Sequence, residues 1–263
     1  MRIKNKLFEI QQINNTRLCV GLDTELTKLP IHYDQSPEAL LTFNKSIIEA
    51  TKDLVCAYKI NFAFYEQYGV DGMHVLRETL KSIPSNVITI ADAKRGDIGN
   101  TSRAYAISIF EEMKFDSITV NPYMGKDSVE PFLQYEDKII FILALTSNPG
   151  SFDFQRLVSD GKPLYQHVIE TSQKWNTNSE LGYVVGATHP NELKEIRTYS
   201  PNSLMLIPGI GTQGGDATAT MEANGNSPAI VNVSRGILYA SNGADFAEKA
   251  RLKAEFYQKE IGM

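Results

Sequence analysis

The sequence has no excess of positive charge and few cysteines. Its 26 Lys and Arg residues are outnumbered by 31 Asp and Glu residues, which gives a formal net charge of −5. A general nucleic-acid-binding protein would usually carry a basic excess on one face, so we expect no nucleic-acid partner. The two cysteines, Cys19 and Cys56, lie in apolar stretches without a C-x-x-C pattern. We therefore expect buried, reduced thiols, as in a cytoplasmic protein, and no disulfide framework.

Long hydrophobic runs are also missing. The longest apolar run, residues 139–145, has 7 residues, whereas a membrane-spanning helix needs about 20. Residues 1–13 lack the uninterrupted apolar region of a secretory signal. The sequence therefore predicts a cytoplasmic location and no membrane partner. We also expect no metal site, because metal-ligand spacing is absent among the four histidines, which are His32, His74, His167 and His189.

Short apolar runs rich in β-branched residues alternate with longer stretches of helical spacing. This alternation is typical of βα units and a parallel sheet. The runs number eight, which is the number of strands in an α/β barrel of about 250 residues. They are 18–22, 54–60, 87–91, 117–120, 139–146, 183–187, 204–207 and 229–233. The sequence therefore predicts the α/β class and a (β/α)8 TIM barrel, with residues 1–263 as a single domain.

Two connections in this pattern are longer than the others, residues 23–37 and residues 147–182 after the fifth run. Long connections in a barrel are usually functional or cover one end of it.

Helix starts and helix faces are readable at three places. Ser36-Pro37-Glu38 precedes apolar residues at helical spacing between Leu40 and Ile48, which predicts a helix capped by Ser36. Asn191 stands ahead of Leu193 and Ile196 and predicts a second start. A third apolar face is expected at Ala104, Ile107, Ile109, Phe110 and Met113.

Polar residues follow most of the apolar runs, at the positions where a barrel places its reacting groups. After the third run the sequence contains Asp92, Lys94 and Asp97. Residues two apart in an extended chain share a face, so we expect Asp92 and Lys94 to point the same way. Lys59, near the end of the second run, can reach the same space. This set is predicted to form one charged cluster, with a purely structural ion-pair network as the alternative.

A glycine-rich segment follows the seventh run. Residues 209–214 match G-x-G-x-x-G, but a dinucleotide-binding motif belongs to the first βα unit and needs an acidic residue about 20 positions later. Neither condition holds here. In barrels, the loops after the seventh and eighth strands often bind phosphate, and Arg235, in Ser234-Arg235-Gly236, supplies a bidentate donor. The sequence therefore predicts a phosphate-binding site.

The pattern Asp92-x-Lys94-x-x-Asp97-x-x-x-Thr101, preceded by Asp23 and Lys59, resembles the orotidine 5′-phosphate decarboxylase family. The stretch 58–66 and the long connection 147–182 resemble its longer bacterial subgroup, type 2. This resemblance implies a carboxy-lyase that converts orotidine 5′-phosphate to uridine 5′-phosphate in de novo pyrimidine biosynthesis. It also implies a homodimer with shared active sites and a reaction that uses neither a metal nor an organic cofactor.

The resemblance also implies roles for individual residues. Lys94 would stabilise and protonate the C6 carbanion, and Asp97 and Thr101 would enter the partner subunit's site. Asp23 and Lys59 would hold the ribose hydroxyls, and Ser147 would face the pyrimidine. The implied catalytic residues are Lys59, Asp92, Lys94 and Asp97, and the implied substrate-binding residues are Asp23, Thr101, Ser147, Gln213, Gly214, Ser234 and Arg235. Asn44 and Asn121 receive no role.

Two alternatives remain open. Sugar-phosphate enzymes such as 3-keto-gulonate 6-phosphate decarboxylase and hexulose-phosphate synthase share the Asp-x-Lys-x-x-Asp pattern but use Mg²⁺, and tend to carry a Glu ligand where this sequence has Lys59. A barrel that only binds a phosphorylated nucleotide is the other alternative, since a fold alone does not fix a function.

Overall fold

The computed structural model describes residues 2–211 and 214–262. The strands within these residues are β1 (Leu18–Gly21), β2 (Ala57–Asn61), β3 (Ile88–Arg95), β4 (Ser117–Val120), β5 (Ile139–Leu145), β6 (Val158–Ser159), β7 (Lys162–Pro163), β8 (Glu180–Val185), β9 (Leu204–Pro208) and β10 (Ala229–Val233). The α-helices are α1 (Ile3–Ile13), α2 (Pro37–Thr51), α3 (Ala63–Glu66), α4 (Gly69–Ser82), α5 (Gly99–Ile107), α6 (Lys126–Leu133), α7 (Leu164–Ser172), α8 (Pro190–Tyr199), α9 (Ala217–Asn224), α10 (Arg235–Leu238) and α11 (Phe246–Ile261).

Eight of the described strands form a closed barrel in the order β1-β10-β9-β8-β5-β4-β3-β2. Each of the eight predicted runs contains or overlaps one of these strands, so the (β/α)8 barrel is confirmed. The strands are buried along most of their length, as expected where side chains fill the barrel and helices cover it. Both cysteines are buried as predicted, and burial raises the pKa of the Cys56 thiol to about 12.

The chain divides into two compact units. One holds Lys94–Val231 together with the N-terminal residues up to Lys4, and the other holds Asn5–Ala93 together with the residues from Asn232 onward. The division falls inside β3 and inside β10, so each of these two strands contributes residues to both units.

Several strand boundaries differ from the prediction, and hydrogen bonds account for two of the differences. β2 begins at Ala57 rather than at residue 54 because the Leu54 N–H donates to Thr51 O (2.9 Å) and closes the end of α2. β3 continues to Arg95 rather than ending at residue 91, and the Arg95 carbonyl accepts from Asn121 N at 2.8 Å. Asp92 and Lys94 consequently lie inside the strand rather than in the loop after it.

The helix predictions have mixed outcomes. Ser36 caps α2 by accepting from Ala39 N, as predicted. The start at Asn191 is wrong, because α8 begins one residue earlier, at Pro190, and His189 occupies the N-cap. A proline suits the first helical position because its missing N–H would have no partner there.

The apolar helix face predicted between Ala104 and Met113 is only partly correct. Ile109 and Phe110 are buried, but Ala104 is exposed. The α-helical pitch ends with α5, and residues Ser108–Glu112 form a π-helical turn, which rotates the following side chains away from a 3.6-residue period.

The long connection after β5 contains more structure than the sequence indicated. It includes a short 3₁₀ helix at Pro149–Phe152, the antiparallel pair β6 and β7, and α7. β8 begins at Glu180, so the connection ends before residue 182. In the described part of the chain, no helix is long and apolar enough to cross a membrane.

Candidate active site

Three neighbouring strands place a lysine and two aspartates close together. In the sheet register, Gly21 of β1 pairs with Lys59 of β2, and Lys59 pairs with Ile90 of β3. Asp23 lies two residues beyond Gly21, and Asp92 lies two residues beyond Ile90. Because residues two apart share a face, the long side chain of Lys59 meets both carboxylates one step further along the strands.

The Lys59 ammonium lies between the two carboxylates. Its Nζ donates to Asp92 Oδ2 at 2.9 Å and to Asp23 Oδ1 at 3.2 Å. The Lys59 side chain is 4% exposed, that of Asp92 10% and that of Asp23 17%. The structure thus brings together three of the predicted site residues, with the cation as the most buried of them.

Burial and charge act in opposite directions on Lys59. Desolvation lowers the pKa of a buried ammonium, but the negative charges of Asp23 and Asp92 outweigh this effect, and the pKa of Lys59 is raised. Lys59 therefore stays protonated through the neutral range. A permanent cation lets two carboxylates lie close together without the repulsion that would otherwise protonate one of them.

Sequence reasoning missed the hydrogen bonds around the backbone of Asp23. The Tyr65 hydroxyl donates to Leu22 O at 2.9 Å, the Tyr239 hydroxyl donates to Asp23 O at 3.3 Å, and Thr24 Oγ1 donates to Asn44 Oδ1 at 2.6 Å. The sequence contained one signal of this network, because Asn44 is a polar residue within the apolar stripe of α2. In the structure Asn44 is completely buried. Buried amides are normally hydrogen-bonded.

Ser234, which follows β10, packs directly against Gly21. A Cβ added to Gly21 would lie 2.0 Å from Ser234 Oγ and 2.9 Å from Asn232 Oδ1. The Ser234 hydroxyl in turn accepts from Asn232 Nδ2 at 3.2 Å. Only a glycine fits at position 21 while Ser234 keeps this place.

The predicted phosphate-binding residues lie in two parts of the chain. Arg235 is exposed and is the first residue of α10. Gly214 has a φ of +89° and donates from its N–H to Gly211 O at 2.8 Å, and Asp216 caps the following helix α9 by accepting from Ala219 N at 2.7 Å. Gln213 lies outside the described residues.

Lys94 has an unusual backbone conformation. Its φ is +45°, in the left-handed region that a lysine rarely adopts, and its N–H donates to Thr119 Oγ1 at 3.0 Å. The simple alternation that predicted a common direction for Asp92 and Lys94 does not apply at such a residue. Strained backbone of this kind clusters at functional positions.

Asp97 and Thr101 lie just beyond β3. Asp97 is partly exposed and accepts from Ile98 N at 2.8 Å, and Thr101 is exposed in the first turn of α5. Large apolar side chains in this region of the chain are also exposed, at 56% for Ile98, 80% for Tyr123 and 46% for Met124.

Ser147 follows β5 and is partly exposed. Its carbonyl accepts from Thr188 Oγ1 at 3.4 Å, and a Cβ added to Gly186 would lie 2.8 Å from its N atom. The N–H of the preceding residue, Thr146, donates to Gln155 Oε1 at 2.7 Å, so the connection after β5 folds back to support this strand end. Asn121 Oδ1 accepts from Tyr123 N at 3.0 Å, a local turn contact.

The described residues contain no group of three or more His, Cys, Asp or Glu side chains arranged to hold a metal ion.

Comparison with protein families gives one matching model. It is described as "Orotidine 5'-phosphate decarboxylase / HUMPS family" and matches residues 16–250. A protein of Flavobacterium johnsoniae named orotidine 5′-phosphate decarboxylase is 51% identical over 249 residues, which cover 93% of this chain and 91% of that protein. One of the same name from Dehalococcoides mccartyi strain BAV1 is 50% identical over 263 residues, which cover 97% and 95% of the two chains.

Solved structures show the same likeness. The structure of Leishmania donovani OMP decarboxylase matches with a TM-score of 0.84 and 36% identity, covering 98% of this chain and 99% of that one. The structure of Leishmania donovani UMP synthase matches with a TM-score of 0.88 and 38% identity, covering 99% of this chain. This chain spans only 56% of that UMP synthase chain.

Replacement of Lys59 by methionine should destabilise the fold in a pH-dependent way. Removing one partner of a buried ion pair costs about 3–5 kcal/mol, because Asp23 and Asp92 then face each other without their cation. Like charge and burial raise carboxylate pKa values, so the orphaned carboxylates bind protons more readily in the folded variant than in the unfolded chain. The difference in unfolding free energy between wild type and the variant should therefore shrink as the pH falls from 7 to 5.

Urea unfolding of wild type and Lys59→Met at both pH values measures this deficit. Lys81→Met is the matched control, because Lys81 pairs with Glu78 at the surface with 72% of its side chain exposed. It should unfold like wild type. The electrostatic account would be contradicted if Lys59→Met were as stable as wild type at pH 7. It would also be contradicted if the loss of unfolding free energy grew on acidification.

Proposed function

Because the chain belongs to the orotidine 5′-phosphate decarboxylase / HUMPS family, we propose that it is a carboxy-lyase that converts orotidine 5′-phosphate to uridine 5′-phosphate in pyrimidine biosynthesis. The observation that carries the proposal is the buried ammonium of Lys59 between Asp23 and Asp92, in a chain about half identical to proteins named for this decarboxylase.

The Mg²⁺-dependent sugar-phosphate reaction fits this geometry less well. Asp23 and Asp92 carry the carboxylates that a divalent ion at this position would need, but Lys59 Nζ already donates to both of them, at 3.2 and 2.9 Å. A fixed positive charge there repels a second cation. We therefore propose that the reaction uses no metal ion and, as the family resemblance implies, no organic cofactor.

A barrel that only binds its ligand is also a weaker explanation. Two carboxylates beside the site of an anionic nucleotide weaken binding through charge repulsion. Their presence is understandable if they act on a step of the reaction instead, since only interactions that favour the transition state over the bound substrate increase the rate of the chemical step.

The proposed reaction breaks the bond between C6 and the carboxylate carbon of orotidine 5′-phosphate. CO₂ leaves, and the bonding electron pair remains on C6 as a carbanion without a delocalised sink. The ammonium of Lys94 stabilises this charge and then donates its proton to C6, and solvent returns a proton to the resulting amine. Asp92 disfavours the substrate carboxylate relative to the transition state, in which that charge has moved away.

The other site residues would hold the substrate. Lys59 has three N–H donors, of which two go to Asp92 and Asp23, so one remains for a ribose hydroxyl, while Asp23 accepts from another. Ser147 would face the pyrimidine. The phosphate would be bound by the exposed guanidinium of Arg235 together with Gln213, Gly214 and Ser234, and this remote contact contributes to catalysis as well as to affinity.

We further propose that residues 1–263 act as one domain and assemble as a cytoplasmic homodimer. Two strands, β3 and β10, contribute to both compact units, which supports one domain. Exposed Ile98, Tyr123 and Met124 offer apolar surface for a partner subunit near Asp97 and Thr101, in keeping with the proposal that these two residues enter the partner's site.

Purified wild-type protein should decarboxylate orotidine 5′-phosphate, and EDTA should not change the rate. The loss of substrate absorbance measures turnover directly. Activity that disappears with EDTA and returns with Mg²⁺ would contradict the metal-free mechanism. Absence of turnover would contradict the proposed function.

Lys94→Ala should reduce kcat by at least about 100-fold, because a positioned general acid contributes about 10² to 10⁴. Binding of the product uridine 5′-phosphate, measured by calorimetry, should remain detectable because the phosphate and ribose contacts are intact. Lys45→Ala, which removes an exposed lysine from α2, is the control and should keep the wild-type rate. Near-normal turnover by Lys94→Ala would remove Lys94 from the role of acid.

Mixing two inactive variants tests the shared site. If Asp97 acts in the partner's site, a hybrid dimer of Lys94→Ala and Asp97→Ala subunits contains one site with both residues intact. Random reassociation makes half of the dimers hybrid, so an equal mixture should recover about a quarter of wild-type activity. No recovery after verified subunit exchange would mean that Lys94 and Asp97 serve the same site from one chain.

A further inference from the structure

We propose that Thr24, Asn44, Tyr65 and Tyr239, here named the Asp23 clamp, are positioning residues that fix the Asp23 carboxylate for recognition of the substrate's ribose hydroxyls. This inference rests on the proposed function, because it assigns the clamp to the same substrate. None of the four side chains needs to touch the substrate, since they act through the backbone around Asp23.

The clamp holds three consecutive residues from three directions. The carbonyl of Leu22 accepts from Tyr65 of α3 at 2.9 Å, and the carbonyl of Asp23 accepts from Tyr239 at 3.3 Å. The hydroxyl of Thr24 donates to Asn44 of α2 at 2.6 Å. The chain at Asp23 is therefore tied on both sides and at its own carbonyl, although it has already left strand β1.

The centre of the clamp is closed to solvent. Thr24, Asn44 and Tyr65 are each completely buried, and the Asn44 amide donates both to Tyr65 Oη at 2.9 Å and to Thr79 Oγ1 at 3.1 Å. A buried network with every member paired is rigid and specifies one arrangement. The Tyr65 hydroxyl satisfies the backbone carbonyl of Leu22, and by meeting this need for a hydrogen bond it also fixes the course of the chain next to Asp23.

Tyr239 adds a link to the proposed phosphate site. It directly follows α10, the four-residue helix that begins with Arg235, and its hydroxyl also accepts from Glu25 N at 2.9 Å. One short helix therefore begins with the proposed phosphate-binding residue and is followed directly by the residue that contacts Asp23 and Glu25. This fixes the ribose-binding carboxylate relative to Arg235.

Support from the clamp matters because the ion pair with Lys59 is longer at Asp23 than at Asp92. The Asp23 side chain is also the most exposed of the three charged groups, and its contact with Lys59 is 3.2 Å long. Misplacement of a substrate-binding group by about 1 Å can cost about 100-fold in rate. The clamp is the part of the structure that limits such movement.

The test compares kcat/KM for orotidine 5′-phosphate with kcat/KM for its 2′-deoxy and 3′-deoxy analogues. The ratio of the two values does not depend on how much of a preparation is folded, so a general loss of stability leaves it unchanged. A hydrogen bond to a charged group is worth roughly 10- to 100-fold, which sets the wild-type ratio expected for at least one analogue. Asp23→Ala should lower the ratio for the analogue that lacks its hydroxyl partner by about tenfold or more, while the contact from Lys59 to a ribose hydroxyl remains.

Tyr65→Phe and Thr24→Val remove one clamp hydroxyl each with little change of shape, and each should lower the ratio by about fivefold or more. Tyr58→Phe is the matched control. Its hydroxyl is equally buried and contacts Thr51 and Ile48 of α2, but it has no hydrogen bond to the Asp23 segment, so the ratio should stay at the wild-type value. If one clamp variant does not fold, the other still decides the question.

The outcomes separate the two proposals. No turnover by wild type would contradict the proposed function. A wild type that turns over but does not discriminate, or an Asp23→Ala variant that discriminates normally, would overturn the ribose role of Asp23 and the clamp with it. Clamp variants that lose activity equally toward all substrates would show a structural role only and would overturn this inference alone.

Discussion

The ion pairs that bury Lys59 between Asp23 and Asp92 constrain much of the surrounding structure. A buried charge is costly unless it is paired and hydrogen-bonded, and here three strands must keep their register for the pairing to exist. The raised pKa of Lys59 keeps its ammonium charged through the neutral range. The cluster is therefore preorganised before any substrate arrives.

Preorganisation of this kind requires support from behind the charged groups. The Asp23 segment leaves β1 and receives hydrogen bonds from Tyr65, Asn44 and Tyr239, which belong to separate parts of the sequence. Ser147 is supported in another way, since Gly186 allows a close backbone approach and Gln155 bonds to the preceding residue. In both places the connections between strands and helices fix the groups that the strand ends present.

The fold was predictable because burial leaves a simple trace in a parallel barrel, where each strand is nearly continuous in apolar residues. Strand boundaries were harder to predict from the sequence. β3 extends to Arg95 because the Arg95 carbonyl pairs with Asn121, the residue after β4, and these two residues are far apart in the sequence. The charged residues could be found from their spacing after the apolar runs. Tyr65 and Tyr239 could not, because an aromatic residue at helical spacing looks the same whether its hydroxyl is bonded or only its ring is packed. The left-handed backbone of Lys94 had no signal at all in a non-glycine residue.

The contact between Gly21 and Ser234 limits the order in which this sequence can change. Any side chain at position 21 would collide with the Ser234 hydroxyl, so a mutation there is harmful while Ser234 is present. Loss of the Ser234 hydroxyl alone would not make position 21 tolerant, because Asn232 Oδ1 would still lie 2.9 Å from an added Cβ. Position 21 is thus epistatic with both 232 and 234, and the bare backbone beside Lys59 is protected from drift by two residues more than two hundred positions away.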